Sequence, residues 1–472
     1  MYWAVILGLL AIIAIFGVKI VKKAVKKWIP KDLDKFFRSI DRLSSEKIFK
    51  VKFLHKDMYF VQDPDLIHKV LTSEVCMEKP RMIYKFFGLN DGLLCCGYKQ
   101  WRRDRKNFSS SFNNVMVSCF VPIFCRIADR MICKIKMNDY SQKEVDMIHF
   151  TERCTISMIL ATSFNIFPED IDSPDEEIGR VAEAVKITSF MLSERFKKFV
   201  MFFDTVFKRT EQYRQQNEIR DSLYDLFHKI LDEKTKNGNN NEEQQPSFFQ
   251  NIFYNKVMTF KNEMTEDQIK DSIFTVIGAG FETTGTASAH CILFLAMHPE
   301  IQEKVHQEIM SVFPSDDIEI TYDTLSELSY LENVMKESLR LGPTVHSIAR
   351  EAMDNFEISP GKVIKRGSIF CINIYGLHHR KDLWGEDVEL FNPDRFLPEY
   401  FDGKQQYFIP FSIGRRNCLG YRYAYTSFKV MMVKLLRSFK FTTNLKLNEI
   451  KFNRQIALKL MGKHFVMIEK RH

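Results

Sequence analysis

One segment near the C-terminal end of this 472-residue chain restricts its possible structures more than any other. Residues 411–420 read FSIGRRNCLG, so a single cysteine, Cys418, stands between glycines and arginines just ahead of a helical stretch, residues 421–439. Two features favour the deprotonated form of this cysteine: the neighbouring Arg416, and a place before a helix, whose free N–H groups and dipole stabilise negative charge. A stabilised thiolate is a metal ligand or a nucleophile.

The surrounding residues favour the metal ligand. A nucleophilic cysteine would need a base nearby, but no histidine lies in the segment, and neither C-G-S-C nor Q-A-C-x-G occurs in the sequence. As the only strong protein donor, a thiolate suits haem iron. Gly414 and Gly420 would let the backbone approach a porphyrin closely, and Arg416 could pair with a propionate. The alternative is a buried cysteine on an amphipathic helix, since cysteine is among the most buried residue types.

The spacing of this segment resembles the haem-ligand signature of the cytochrome P450 family, F-x-x-G-x-R-x-C-x-G. The matching residues are Phe411, Gly414, Arg416, Cys418 and Gly420, with Ala424 four residues on. The resemblance implies a mainly α fold with a small β region, in which haem b lies between a long central helix and the cysteine loop. It also implies that Cys418 is the axial ligand of the iron.

A basic helix earlier in the chain carries a second match. Trp101 and Arg105, four residues apart, share a helix face and can donate to one anion. The family has W-x-x-x-R on this helix, in contact with a haem propionate, and Arg350 aligns with another propionate contact. Without the cysteine motif, a solvated basic face would be the simpler interpretation.

A long apolar helix is predicted from the capping box of Thr265 and Gln268 to Met297, before a proline. Its middle, residues 279–286, reads AGFETTGT; such residues weaken a helix, so we expect a local kink with hydroxyl groups turned inward.

This segment resembles the family's A-G-x-[DE]-T, which lies over the haem where oxygen binds. The resemblance places Ala279 and Gly280 against the cofactor, Thr283 at the dioxygen and Glu282 in a proton relay. Many relatives among the fatty-acid hydroxylases have a glutamate, ester-linked to a haem methyl, where this chain has Ala279. Without that carboxylate, we expect haem that is not covalently bound.

Three further residues match a structural element of the family. Glu337 and Arg340 are spaced to pair on a helix, and Arg395 follows in a segment that resembles P-[ED]-R-F. In the family this arginine completes a buried triad behind the cysteine loop. The nearby His346, His378 and His379 are candidate ligands by residue type, but the family uses none of them.

The N-terminus predicts a membrane anchor. Residues 2–18 are apolar apart from glycines, which as a helix span about 26 Å, and five lysines come next at positions 19–27. Because no basic residue precedes the run, the positive-inside rule places the C-terminal side of the run in the cytosol. We therefore predict an anchor over residues 1–28, in the endoplasmic reticulum membrane, and a catalytic domain over residues 29–472.

The composition limits the classes of partner that the protein is expected to bind. The net charge of +8 is scattered and comes without a nucleic-acid motif, so nucleic acid is a poor partner. Ten cysteines without regular spacing indicate a reducing compartment. Basic residues near the cysteine loop and the Trp101 helix could dock an acidic flavoprotein: Lys99, Arg102, Arg103, Arg415, Arg422 and Lys429.

Together these features predict a haem-thiolate monooxygenase that acts on an apolar substrate with O2. The electrons would come from NADPH through a separate flavoprotein reductase, with cytochrome b5 as a second donor. Phenylalanines in the region 190–207 would help to roof the substrate pocket. The alternatives are a haem-thiolate isomerase or dehydratase, which needs no reductase, and a non-catalytic protein that binds haem or a hydrophobic ligand.

Overall fold

The computed structural model describes most of the chain. The described residues are 47–53, 55–89, 91–138, 140, 143–171, 174–197, 201, 203–236, 250–315, 318–454 and 457–471. The predicted membrane anchor, residues 1–28, lies outside them. Within the described residues, no helix combines the length and the apolar character needed to cross a membrane.

Helices form most of the described chain, which confirms the predicted mainly α class with a small β region. In chain order they are α1 (Pro64–Thr72), α2 (Arg81–Tyr84), α3 (Tyr98–Phe108), α4 (Asn114–Met137), α5 (Met147–Phe164), α6 (Pro174–Lys197), α7 (Asp204–Phe207), α8 (Glu211–Lys236), α9 (Phe253–Thr259), α10 (Glu266–Met297), α11 (Pro299–Val312), α12 (Tyr322–Ser326), α13 (Ser329–Leu341), α14 (Ile374–His378), α15 (Lys381–Trp384), α16 (Pro398–Phe401) and α17 (Tyr421–Ser438).

The long helix α10 runs through the centre of the fold. It begins at the predicted capping box, where the hydroxyl of Thr265 accepts from the N–H of Gln268, and the Gln268 side chain accepts from the N–H of Thr265, both at 3.2 Å. It ends at Met297, as predicted, and continues unbroken through residues 279–286. Nearly all of its residues beyond position 270 are buried, because α5, α13 and α17 pack around it.

The strands form small sheets at the edge of the helical body. They are β1 (Ile48–Phe53), β2 (Lys56–Val61), β3 (Val145–Asp146), β4 (Ser347–Glu351), β5 (Phe356–Ser359), β6 (Lys362–Ile364), β7 (Ile369–Asn373), β8 (Phe439–Thr442), β9 (Phe452–Arg454), β10 (Leu458–Leu460) and β11 (Phe465–Lys470). The largest sheet has the order β1-β2-β7-β4, with β2 and β7 parallel and the other pairs antiparallel. Its first two strands form an antiparallel hairpin.

Two groups of buried apolar side chains hold these elements together. The larger core joins α4, α5, α10, α13 and α17, and the smaller one lies between the sheet and α1. In the sequence, the cysteine loop comes directly after residues of the smaller core and leads into α17, which belongs to the larger core. Both cores therefore hold the loop in place. All ten cysteines are unpaired, as their irregular spacing predicts.

Candidate active site

A cavity of about 430 Å³ lies between α10, α3, β4 and the cysteine loop, with α6 and α8 above it. This volume is within the range of small-molecule and cofactor sites. Residues from many parts of the chain meet here because α10 spans the whole fold. The predicted site residues that line the cavity are Trp101, Arg105, Ala279, Gly280, Glu282, Thr283, Arg350, Phe411, Arg416, Cys418, Gly420 and Ala424.

Gly414 is also predicted to lie at the cofactor, and the structure places it elsewhere. It is absent from the cavity lining, and a Cβ there would lie 2.2 Å from the carbonyl oxygen of Leu71 in α1. Its φ of +75° also belongs to the left-handed region that favours glycine. Gly414 therefore brings the cysteine loop against α1, rather than giving a cofactor room.

The cysteine loop is closed on itself. The N–H of Cys418 donates to the carbonyl of Phe411 at 2.9 Å, and the N–H of Asn417 donates to the carbonyl of Gly414 at 3.1 Å. These bonds turn the chain so that the thiol of Cys418 opens into the cavity. A fixed, outward-facing sulfur is what a metal-binding cysteine needs.

The protonation of Cys418 depends on other groups than the sequence indicates. Burial raises the pKa of the thiol, while the N–H of Gly420 and the charge of Arg105 oppose this rise. The guanidinium that acts on the sulfur is thus that of Arg105, not that of Arg416. A metal ion would remove the thiol proton, because coordination deprotonates a thiol.

The residues of α10 form another wall of the cavity. The hydroxyl of Thr283 donates to the carbonyl of Ala279 at 2.7 Å, which keeps it against the helix and leaves its lone pairs towards the cavity. The carboxylate of Glu282 pairs with the ammonium of Lys459 in β10 at 3.0 Å. The Lys459 side chain is 42% exposed, so this pair connects the cavity wall with the surface.

Four cations converge at one end of the cavity: Lys79, Arg105, Arg350 and Arg416. Lys79 is buried, and its ammonium lies 4.2 Å from the ring centre of Tyr84. Burial, with the charges of Arg350 and Arg416, holds the pKa of Lys79 well below its usual value. A buried group of like charges is costly unless an anion joins it.

The guanidinium groups are fixed by backbone and polar contacts. Arg105 donates twice to Asn417, to its carbonyl and its side-chain oxygen, both at 2.8 Å. Arg416 stacks 4.4 Å from the ring centre of Trp101 and donates to the carbonyls of Met77 and Cys96. These contacts orient the charges without neutralising them.

This end of the cavity fits a molecule with two carboxylates. Among the described residues, Lys79, Arg105 and Arg350 make no ion pair, and the carboxylate closest to Arg416 is that of Glu78, at 4.0 Å. The side chain of Trp101 also faces the cavity without a hydrogen bond to a described residue. A haem would place its propionates among these donors and its iron at Cys418, so the residues present fit the group.

A buried ionic group supports the cysteine loop from behind. The carboxylate of Glu337 accepts from Arg340 at 2.7 and 2.8 Å and lies 3.4 Å from the Nε of Arg395. Glu337 and Arg340 have no exposed surface. The predicted triad is therefore assembled, away from the cavity, and its role is structural.

One histidine joins the triad to the loop. Arg340 donates to the carbonyl of His378 at 3.0 Å, and the ring Nε2 of His378 accepts from the N–H of Ile409 at 3.0 Å. Ile409 lies two residues before Phe411, where the loop begins. Burial holds the pKa of His378 well below its usual value, so the ring stays neutral and can accept this bond.

A search with family models finds the cytochrome P450 model over residues 24–466 of this chain. The chain belongs to the cytochrome P450 family.

Relatives of this P450 chain cover most of its length. "Probable cytochrome P450 313a4" of Drosophila melanogaster is 29% identical over 420 residues, 87% of this chain and 84% of the relative. "Cytochrome P450 4c21" of Blattella germanica is 28% identical, over 84% of this chain and 81% of its own. "Cytochrome P450 3A17" of Cavia porcellus is 28% identical, over 81% of this chain and 76% of its own.

Membership of the P450 family makes the chain a haem-thiolate monooxygenase, an oxidoreductase. It implies a haem iron with a thiolate ligand, a redox-partner reductase, O2 and a hydrophobic substrate. Cys418 lies in the segment that resembles the P450 signature, and its thiol faces the cavity.

Sequence reasoning missed several residues of this P450 site. Lys79 and Lys459 belong to no motif, and only the folded chain brings them to the cavity and to Glu282. Lys429, expected on a docking surface, is instead buried and bound to Glu332 at 3.0 Å.

The predicted phenylalanine roof is tested at two positions. Phe203 is exposed, Phe207 packs against Arg195, and neither lines the cavity. The side chains of Phe190, Phe196, Phe199 and Phe202 are not among those that the structure describes, so the prediction stays open for them. Among the described side chains of α6, those of Ala184, Val185 and Thr188 line the cavity.

Proposed function

We propose that this P450 is a microsomal monooxygenase with haem b, which inserts one oxygen atom of O2 into an apolar small molecule such as a lipid, a hormone or a xenobiotic. Its electrons come from NADPH through a separate flavoprotein reductase, with cytochrome b5 as a second donor. Residues 1–28 anchor it in the endoplasmic reticulum membrane, and residues 29–472 form a cytosolic catalytic domain. One observation carries the proposal: the thiol of Cys418 and the hydroxyl of Thr283 face one cavity that ends in four cations.

The residues of α10 would serve proton delivery. A bound haem with a thiolate ligand supplies an electron-rich iron that favours O–O cleavage. Thr283 holds a hydroxyl inside the cavity, and Glu282, the preceding residue on the helix, carries a carboxylate. Lys459 connects that carboxylate with the surface, so protons can move inwards along polar groups while apolar walls keep bulk water out.

The surface beside the cysteine loop would receive the reductase. Lys99 and Arg102 are exposed on α3, and Arg415 is exposed on the loop itself. Arg415 already pairs with the exposed Glu74 at 2.6 Å, an interaction that salt screens. We therefore place docking chiefly on Lys99 and Arg102. Raised ionic strength should slow reduction by the flavoprotein.

The spectrum of the ferrous carbonyl complex tests the thiolate. The purified protein should show the absorption typical of thiolate ligation, and Cys418→His should lose it while a control, Cys371→Ser, keeps it. An unchanged spectrum in Cys418→His would disprove the assignment. Oxidation of substrate that depends on NADPH and reductase would support a monooxygenase, whereas peroxide rearrangement without them would favour an isomerase or dehydratase.

A further inference from the structure

Gln216 is a buried polar side chain of the cavity wall that has no hydrogen-bond partner in the described part of the chain. It belongs to α8 and is only 8% exposed. An apolar molecule that filled the cavity would leave this amide unpaired, which is unfavourable because the amide would lose water without gaining a partner. A molecule that carries a polar group can supply the missing bonds.

The position of this amide is fixed. A Cβ on Gly88 would lie 1.8 Å from the Nε2 of Gln216, so the amide rests on the backbone of a residue that has no side chain. The φ of Gly88 is +70°, which also favours glycine. Arg220 and Leu223, at i+4 and i+7 on α8, line the same cavity, so this helix face points into it.

The Gln216 end of the cavity is distant from the residues expected to lie near the iron. Arg220, one turn after Gln216, donates to Asp271 of α10 at 3.2 Å. Asp271 precedes Ala279 by eight residues and Thr283 by twelve, which is about 12 to 18 Å along a helix. A substrate that bonds to Gln216 and presents a carbon to the reacting centre must therefore be elongated.

The charges at this end disfavour an anion. Two cations meet four carboxylates here: Arg220 and Lys270 on one side, and Asp221, Glu266, Asp267 and Asp271 on the other. Burial raises the pKa of Asp271 to about 6, which leaves it ionised at pH 7.4. The three other acids are half or more exposed at the surface, but Arg220, which lines the cavity, is already paired with the buried Asp271, so a substrate carboxylate would gain no unpaired cation here.

We propose that Gln216 determines specificity by bonding the polar end of an elongated, neutral lipophile that carries a carbonyl or hydroxyl group. This inference rests on the proposed function, since it names the substrate class of the same cavity. The amide can both donate and accept, so it serves ketones and alcohols alike. Because Arg220 is already paired with Asp271, the corresponding carboxylic acids find no free cation at this end and lose hydration without compensation.

A matched ligand series tests the proposal on the purified full-length holoprotein by equilibrium dialysis. The probes are dodecane, 2-dodecanone, 1-dodecanol and dodecanoic acid. The ketone and the alcohol should bind roughly three- to tenfold more tightly than the alkane, as one hydrogen bond allows. The acid should bind more weakly than the alcohol.

Substitutions then assign the selectivity to one side chain. Gln216→Leu should remove the preference for the ketone and the alcohol over the alkane, while Gln215→Leu, at the exposed neighbouring position, should leave it unchanged. Gln216→Glu should keep the preference for the alcohol over the alkane, because the alcohol can donate a hydrogen bond to the carboxylate. It should lose the preference for the ketone, which can only accept one. These variants report on the same bond in different ways, so a folding defect in one does not remove the test.

Three results would overturn the inference: tighter binding of the acid than of the alcohol, no binding by any member of the series, or an unchanged ketone-to-alkane ratio in Gln216→Leu. Failure of the proposed function is separate. It would appear in the same preparation as a missing thiolate spectrum in the ferrous carbonyl complex, whatever the ligand affinities.

Discussion

The two sides of the cavity are built differently. Behind the cysteine loop, polar groups bond mainly to one another: Glu337 to Arg340, Arg340 to His378, and His378 to Ile409. On the side of α8, Gln216 faces the cavity without a partner among the described residues. The difference matches two functions. A side chain that binds a metal must be held in one place, whereas a substrate pocket must keep hydrogen-bonding groups available for the substrate.

The largest effect is expected from breaking the ionic group behind the loop. Arg340→Ala would leave the buried carboxylate of Glu337 with Arg395 and the N–H of Asn392, at a cost of about 3–5 kcal/mol in the free energy of unfolding. The variant should be recovered without haem or misfolded. Haem content and thermal unfolding measure this.

Lys381→Ala is the control for that variant, because it removes a nearby cation whose pair with Glu386 is exposed. It should leave both quantities unchanged. A soluble Arg340→Ala protein with full haem content would show that the side behind the loop is less dependent on its ionic group than the structure implies.

A fall in pH should destabilise the fold behind the cysteine loop through protonation of His378. Its folded pKa lies well below the ordinary value of 6.5, so below pH 6.5 the unfolded chain takes up a proton that the folded protein does not. Stability is therefore lost as the pH falls from 6.5, by up to about 1.4 kcal/mol per pH unit for this residue.

His378→Gln keeps an acceptor for the N–H of Ile409 but cannot be protonated. Its melting temperature should fall less between pH 7 and pH 5 than that of the unaltered protein. Parallel curves would mean that His378 does not contribute to the acid sensitivity.

On the opposite side, Thr283→Ala should change chemistry while sparing the fold. The variant should keep its haem and its substrate affinity, but lower the product formed per NADPH by about tenfold or more, since positioned proton transfer contributes roughly 10²–10⁴-fold. The lost electrons should appear as peroxide.

Ser288→Ala is the matched control, because its hydroxyl makes the same kind of bond, to the carbonyl of Thr284 at 2.9 Å, deeper in the same helix. Its product yield should be normal. A normal yield in Thr283→Ala would remove this residue from proton delivery.

The smallest effect concerns the attachment of the haem. Ala279 has no nucleophile, and the carboxylate of Glu282 is bound by Lys459 at 3.0 Å. Acidic organic solvent should therefore extract all of the haem after turnover with NADPH, leaving a polypeptide with the mass of the bare chain. Ala279→Glu, which supplies a carboxylate at this position, should retain part of the haem; haem retained by the unaltered protein would contradict the prediction.

The sequence predicts the parts of this molecule that local chemistry determines. The capping box at Thr265 predicts where α10 begins, and the residue spacing around Cys418 predicts the cysteine loop. Both features depend on neighbours a few residues away. The placement of Arg105 beside the loop follows from family resemblance, since no local rule links it with Asn417 across 312 positions.

Other features depend on contacts that no pattern records. Lys79 lies in an irregular segment between α1 and α2, and only burial beside Arg350 makes it part of the site. Gln216 belongs to a helix whose many polar residues give no indication of which one faces inward. Lys429 is expected at the surface as a lysine, but Glu332 and two backbone carbonyls compensate its burial.

The four cations around one end of the cavity also bear on the lifetime of the protein in a cell. An empty pocket holds mutually repelling charges, so the chain without its cofactor should open more readily and be degraded sooner. A ligand present at a thousand times its dissociation constant stabilises the folded state by about 4 kcal/mol. The amount of this protein that accumulates should therefore follow the haem supply of the cell as well as the rate of its synthesis.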